Sequence, residues 1–500
     1  MRFKKRNTSL YLSKPKTIAM KGILTCVFLL TSFTGVFAQQ IYQSTEVETA
    51  ANPGGGEDVF NHFIASNLRP PIKSSFRGLK GRVFVNAVVE PDGSLSNLSV
   101  LRGIDELCNK EAIRVLSLYK AWKPAIIKKE AVRQAVVLPV VFKSDPVESY
   151  DSTLQSLVHY FDKKGGSNRI DDQKNRRCIP VDDFGFINGD VLFQEKEGTK
   201  WLTKFSVPLK KEEFWKQINE NGEADSISAV SLSTRNEQSN STIYQVLQRD
   251  QKGMILDFSE YAEDGKITLS KSFFSTGAIR EMTIYGNDKH QHFHWYENGL
   301  LSGIVEMTDD VFKRPLTSII KEFYDRGGNQ LVKNGNGYFV DQGNSIPGFD
   351  GTGEVRNGVK EGTWIAKSKD STLLYEEFYE KGNLTKGTSF DKGEKFEYTE
   401  VEVMPEFSGG SAAMYRYLSQ NIKYPKDAAK KNITGRVFTT FVVCEDGTLC
   451  DFKVLKGLHE SIDNEAVRVL KGMSGKWEPG WQRGKKVKVK FNLPINFQLQ

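Results

Sequence analysis

The 500-residue sequence is poor in the residues that most often mark chemistry, with 5 cysteines, 6 histidines and 16 prolines. The cysteines form no Cys-x-x-Cys pair, which removes a zinc knuckle. No phosphate-binding loop, nucleophile elbow or His-Glu-x-x-His helix is present. Gly54-Gly55-Gly56 follows Pro53 in what reads as a linker, with no strand before it, so it is not an anion cradle. The scarcity of proline excludes a long polyproline spacer. These absences argue against an enzyme and imply neither a metal nor a cofactor. Among the histidines only His290, His292 and His294 cluster. On a strand they share one face in a line, whereas a tetrahedral metal site needs ligands converging from several segments. They are read as a solvent-facing polar strip.

Charge of one sign is also scarce once its source is located. The chain carries a formal +7. Residues 1–21 hold seven Lys/Arg and no acid, so the remainder is close to neutral. Basicity is then no nucleic-acid footprint. An apolar run from Gly22 ends in Val36-Phe37-Ala38, with small residues where a signal peptidase cuts. Residues 1–38 therefore read as a signal peptide, with cleavage favoured over an inner-membrane anchor and an exported, periplasmic or envelope-associated product. Of the remaining cysteines, Cys444 and Cys450 flank the turn Glu445–Leu449. A disulfide across a hairpin and two unpaired thiols are both open there.

What the chain has is internal repetition. Residues 55–116 align without a gap on 409–470. Gly81-Arg-Val-Phe-Val-Asn-Ala-Val-Val-Glu-Pro-Asp-Gly matches Gly435-Arg-Val-Phe-Thr-Thr-Phe-Val-Val-Cys-Glu-Asp-Gly. Val100-Leu-Arg-Gly103 matches Val454-Leu-Lys-Gly457, Glu111-Ala112 matches Glu465-Ala466, and Trp122-Lys-Pro124 matches Trp477-Glu-Pro479. The spacing predicts a helix through Met414–Leu418, a strand over Val437–Val443, an Asp-Gly hairpin, a return strand over Leu449–Leu455, a helix over Asp463–Leu470, and a last strand. In that strand Val487, Val489 and Phe491 face inward while Lys486, Lys488 and Lys490 face water. The result is an α+β unit, a small antiparallel sheet with helices on one face.

The Tyr424-Pro425 element, the Gly-x-Val strand start, the Asp-Gly hairpin, the Val-Leu-x-Gly exit, the Glu-Ala helix and Trp-x-Pro together resemble the TonB C-terminal domain family. The resemblance covers about 85–100 residues at each end. The first copy departs from it in having Pro70-Pro71 for Tyr-Pro and Pro91 in the hairpin. The resemblance implies a periplasmic module that grips short peptides of outer-membrane transporters, by strand addition to an exposed edge. That edge is expected around Val487–Leu493, and Tyr424 and Pro425 carry over as lying near the contact. The candidate partner-binding residues are thus Tyr424, Pro425, Val487, Lys488, Val489, Lys490, Phe491 and Leu493. The lysine stripe also reads as protection of an edge against aggregation.

Between the copies, Phe273-Phe-Ser-Thr-Gly277, Trp295-Tyr-Glu-Asn-Gly299, Phe323-Tyr-Asp-Arg-Gly-Gly328 and Phe378-Tyr-Glu-Lys-Gly382 repeat two aromatics, a polar pair and glycine. Each reads as a hairpin whose aromatics pack between neighbours, and the pattern resembles MORN-like repeats. Upstream, Lys211–Ile218 reads as a helix and Thr234–Ser241 as a polar loop. The expected organisation is signal peptide 1–38, linker 39–56, divergent first copy 57–144, unassigned mixed region 145–255, β-repeat region 256–398 and second copy 399–500. The expected function is TonB-like binding of envelope-protein peptides, with TonB-dependent outer-membrane transporters as partners, no nucleic acid, and a link to energy-dependent transport. The alternative is a non-enzymatic periplasmic or surface scaffold whose end domains self-associate as a homodimer.

Overall fold

A computed structural model describes residues 40–143, 149–162, 173–220, 223–236, 241–308, 318–341, 346–368 and 370–499. The signal peptide expected over 1–38 lies outside these residues. No helix among the described residues is long and apolar enough to cross a membrane. Strand outweighs helix throughout the described chain, so the α+β description holds only for the two ends.

Both ends build the same unit. In the N-terminal copy a helix (Glu57–Asn67) and a short helical turn (Ile72–Phe76) precede the hairpin Gly81–Val89/Leu95–Arg102. The helix Glu106–Ser117 and the long strand Glu130–Phe142 follow. The C-terminal copy repeats this with Gly410–Asn421, Lys426–Lys430, Gly435–Val443, Leu449–Lys456, Glu460–Lys471 and Val489–Phe497.

The shared motifs have a common physical basis. Glu465 accepts the Lys423 amide at 2.6 Å and the Arg468 guanidinium at 2.7 Å, while Arg468 Nη2 donates to the Asn421 carbonyl at 2.7 Å. Glu111, Arg114, Arg69 and Asn67 repeat the arrangement. The Glu-Ala-x-Arg segment is therefore a clamp that satisfies the open end of the preceding helix. The turn glycine is equally constrained. Gly447 has φ +77°, and a Cβ there would stand 2.2 Å from the Trp477 carbonyl oxygen. Only glycine lets the hairpin seat under the Trp-x-Pro segment.

The centre is a meander. Five strands between Tyr150 and Val207 form an antiparallel sheet whose core around Ile179, Ile187 and Val191 is joined by Ile72 of the N-terminal copy. From Lys210 to Tyr398, sixteen strands among the described residues pair in chain order, each antiparallel to the next. Most of the repeat aromatics are interior: Phe273, Trp295, Tyr296, Phe323, Tyr324 and Tyr379 are buried, while Phe378 is exposed.

Several expectations are corrected. Lys211–Ile218 is not a helix. It lies in the strand Lys210–Glu220, paired residue by residue with 223–233, and Trp215 is exposed. Its strong helix formers are overridden by a long hairpin partner that pairs with the strand along its whole length. Thr234–Asn236 and Ser241 also belong to strands, and 237–240 lie outside the described residues. The meander starts at Lys210 rather than 256, because its first hairpins lack the aromatic-glycine signature. The linker 39–56 is not a free tether. Ile41–Tyr42 pairs in parallel with Arg133–Gln134, and Asn52–Pro53 pairs with Trp122–Lys123. The helix expected from Asp463 begins at Glu460. The histidine strip is only partly solvent-facing. His290, His292 and His294 do share a face, with ring spacings of 6.4 and 6.5 Å, but His294 is buried. Burial holds its imidazole down at about 4.

Candidate functional site

The C-terminal sheet has the order Leu449–Lys456, Gly435–Val443, Val489–Phe497, so the last strand is an edge. Among the described residues no strand pairs with its outer side. Its sequence carries Pro494, a residue that sheets confine to edges because it cannot donate to a ladder. Lys486, Lys488 and Lys490 are exposed, Val487, Val489 and Phe491 half-buried, and Leu493 is 2% exposed. Phe491 packs against Phe441 and Trp477, with centroids 5.6 and 4.9 Å away. The apolar residues thus serve the core, while the backbone edge and the lysines remain at the surface.

The candidate residues are only partly brought together. Val487 ends a separate short strand, Lys485–Val487, paired with Gly480–Gln482, and Lys488 is the break before Val489. Tyr424 lies at the far end of the edge strand. Its ring meets Phe497 at 6.0 Å, and its hydroxyl donates to the Ile433 carbonyl. Nine residues of strand place it roughly 26 Å from Val489. Pro425 caps the short helix Lys426–Lys430. Tyr424 and Pro425 therefore shape the turn beneath one end of the edge, remote from Lys488.

The N-terminal copy shows the same edge in another state. Gln134 pairs with Val89 as Val489 pairs with Val443, so the two strands share one register. Beside Arg133 and Gln134, at the positions of Lys488 and Val489, the chain lays its own Ile41–Tyr42 as a parallel strand. No sequence pattern signals this strand, since two residues are too short for a periodicity.

Two further differences separate the copies. The N-terminal helix buries Val59, Phe60, Phe63, Ile64, Ser66 and Asn67, whereas its C-terminal counterpart buries only Met414 and Leu418 and leaves Tyr415 exposed. The C-terminal domain meets the meander through a polar knot at Arg483, which sequence reading missed. Arg483 Nε donates to Glu377 at 2.9 Å, and its other arm reaches Asp350. Tyr379 and Tyr398 hydroxyls donate to the same Glu377 carboxylate at 2.9 and 2.7 Å. The guanidinium stacks 3.8 Å from the Tyr375 ring centroid. Burial pushes the Asp350 carboxyl up, but Lys360 and Arg483 outweigh it and hold it at about 2.

Cys444 and Cys450 face each other across the hairpin with sulfurs 2.8 Å apart and unbonded. The neighbouring Cys444 sulfur, then burial, pushes the Cys450 thiol up to about 11. No group of three or more potential metal ligands converges among the described residues.

Comparison with known proteins bears on both ends. Two solution structures of the Helicobacter pylori TonB C-terminal domain are similar to this chain, at 24% and 23% identity. Each covers 17% of this chain, and 78% and 90% of the respective domains, with a TM-score of 0.15. A crystal structure described as TcdB2-TccC3-TEV aligns with 48% of this chain and 14% of its own, at 10% identity and a TM-score of 0.11. No curated protein matches this chain. The family described as Gram-negative bacterial TonB protein C-terminal matches residues 69–144 and 420–499, within the two copies of the sheet-and-helix unit.

Proposed function

We propose that the C-terminal domain binds a short extended peptide of another envelope protein as an added strand along the outer edge of Val489–Phe497. TonB-dependent outer-membrane transporters are the partner class that the family suggests. The single observation that carries this reading is the occupied edge of the other copy. A segment of this chain already adds in parallel at Arg133–Gln134, and among the described residues the equivalent edge at Lys488–Val489 has no such strand. Strand addition supplies affinity through main-chain hydrogen bonds, so the apolar face of Val489, Phe491 and Leu493 can stay in the core while the edge binds. The flanking lysines discourage indiscriminate pairing and favour a peptide with acidic residues. The role is binding rather than catalysis, and its setting is the cell envelope. Coupling to energy-dependent transport would pass through the Arg483 knot, the polar tie from the peptide-binding domain to the meander.

The test is amide hydrogen exchange on the whole chain with and without synthetic transporter-derived peptides. Protection at 489–493, lost in Val489→Pro, is the expected result. Protection that grows with protein concentration alone would mean that the edge pairs with a second copy. No change at these amides with any peptide would sink the proposal.

A further inference from the structure

A cavity of about 360 Å³ opens where three parts of the molecule meet: the segment Ser66–Pro70, the loop Phe184–Phe186, and the meander strands over 241–273. We propose that this cavity is a binding site for a small organic carboxylate with an apolar, flat body.

Charge is the first argument. Arg69, Lys271 and the exposed Lys143 line the cavity, and Glu260 is the only carboxylate among the described residues that line it. Lys271 Nζ spends one donor on the Ser66 carbonyl at 2.8 Å. The Arg69 guanidinium has no carboxylate within ion-pair distance among the described residues and lies 5.8 Å from the Phe273 ring centroid. Burial lowers Lys271 to about 8, with Arg69 lowering it further against the pull of Glu260. Burial, with Arg114 beside it, lowers Arg69 to about 10. Burial raises Glu260, which weakens it as a counter-charge. Arg69 and Lys271 are poorly hydrated and face one reluctant carboxylate, while Lys143 stays exposed at the margin, so the buried pair leaves room for an outside anion.

Shape is the second argument. The remaining wall is largely apolar, from Phe186, Phe258, Phe273, Leu269, Ile72 and Leu157. A few polar groups converging in an apolar wall, in a volume near the small end of ligand sites, fit a ligand of roughly ten heavy atoms. The third argument is strain. Tyr244 has φ +69°, a conformation that bulky residues avoid. It stands where the pairing register shifts between Ser233 and Arg235. Its hydroxyl donates to the Gly185 carbonyl at 2.8 Å, which pins the opposite wall. Strained backbone persists where the surroundings over-determine it, and such places cluster at ligand sites.

Calorimetric titration of the whole chain with phenylacetate tests the proposal, with phenylacetamide as the neutral analogue of equal shape. Phenylacetate should bind, and the amide should bind about tenfold or more weakly, the size expected when a charge-assisted hydrogen bond is lost. Lys271→Met and Arg69→Gln should each weaken phenylacetate by a similar factor. If either variant fails to fold, the acid–amide comparison on the unaltered chain still decides. Equal binding of acid and amide, or no binding of phenylacetate to the folded chain, would overturn it.

Discussion

The two copies of one domain are held in opposite ways. The N-terminal copy is fused to the meander through a common hydrophobic core in which Phe63, Tyr119 and Val140 join Phe258, Trp295 and Leu301. Asn67 accepts the Ile279 amide at 2.8 Å, and His62 faces Phe293 at 6.1 Å. The core of the C-terminal copy, by contrast, draws every side chain from between Phe407 and Phe497. It touches the meander through charge and hydrogen bonds at Arg483. One sheet edge is occupied by the chain's own Ile41–Tyr42, and the other has no added strand among the described residues. A duplicated domain has thus been divided into a structural half, with its helix face and edge used internally, and a half whose helix face and edge face outward.

The strongest way to break this contrast is to cut the polar tie. Arg483→Met leaves Glu377, 0% exposed, without its cation, and removing one partner of a buried pair costs about 3–5 kcal/mol. Urea unfolding should show this loss in the meander end, and Glu377→Gln added to Arg483→Met should recover part of it. An unchanged midpoint for the single variant would show that the tie is not holding the domain.

Acid should separate the two halves next. His294 titrates at about 4 in the fold, below its ordinary 6.5, because burial disfavours the charged ring. Stability from the neutral ring is fully present above about 6.5, and it is lost as pH falls towards 4, since the unfolded chain takes up the proton first. The loss amounts to roughly 3 kcal/mol. Melts of wild type and His294→Gln between pH 7 and 4 should converge as pH falls, through the meander's transition rather than that of the C-terminal core. Parallel melting curves would remove His294 as the cause.

Gly299→Ala probes the shared core directly. With φ +93° and Tyr119 and Phe63 within 2.8 and 2.9 Å of the added Cβ, it should cost about 2 kcal/mol by wedging the N-terminal copy off the meander. A thermal melt checks it, and a neutral result would show that the contact yields without cost. The smallest effect belongs to Ile41→Pro, which should loosen the added strand by about 1 kcal/mol or less. It should also raise hydrogen exchange at Arg133 and Gln134. Unchanged exchange there would remove the self-added strand as a guide to the open edge.

Much of this was legible in the sequence for a specific reason. Period-two alternation, the Asp-Gly turns and the paired Glu-Ala helices are local patterns, and they point to the two sheet-and-helix copies, although the alternating run Lys486–Phe491 is broken at Lys488. The aromatic-glycine pattern located hairpins from Phe273 onward for the same reason. Lys211–Ile218 reads as a helix because its residues favour one locally, and only its long-range partner strand decides otherwise. Resemblance sets Tyr424 near the partner contact, while its hydroxyl and ring meet the Ile433 carbonyl and Phe497.

By itself, the sequence determined that one sheet-and-helix unit occurs twice, with a hairpin series between, because those features depend on residues close together along the chain. Only the tertiary structure decided which copy has a free margin, that Arg483 meets Glu377 across 106 positions, and that Arg69 and Lys271 share a cavity. Those facts depend on contacts between distant segments, where burial and charge compensation are set by what the fold brings alongside and not by the residue's own neighbours.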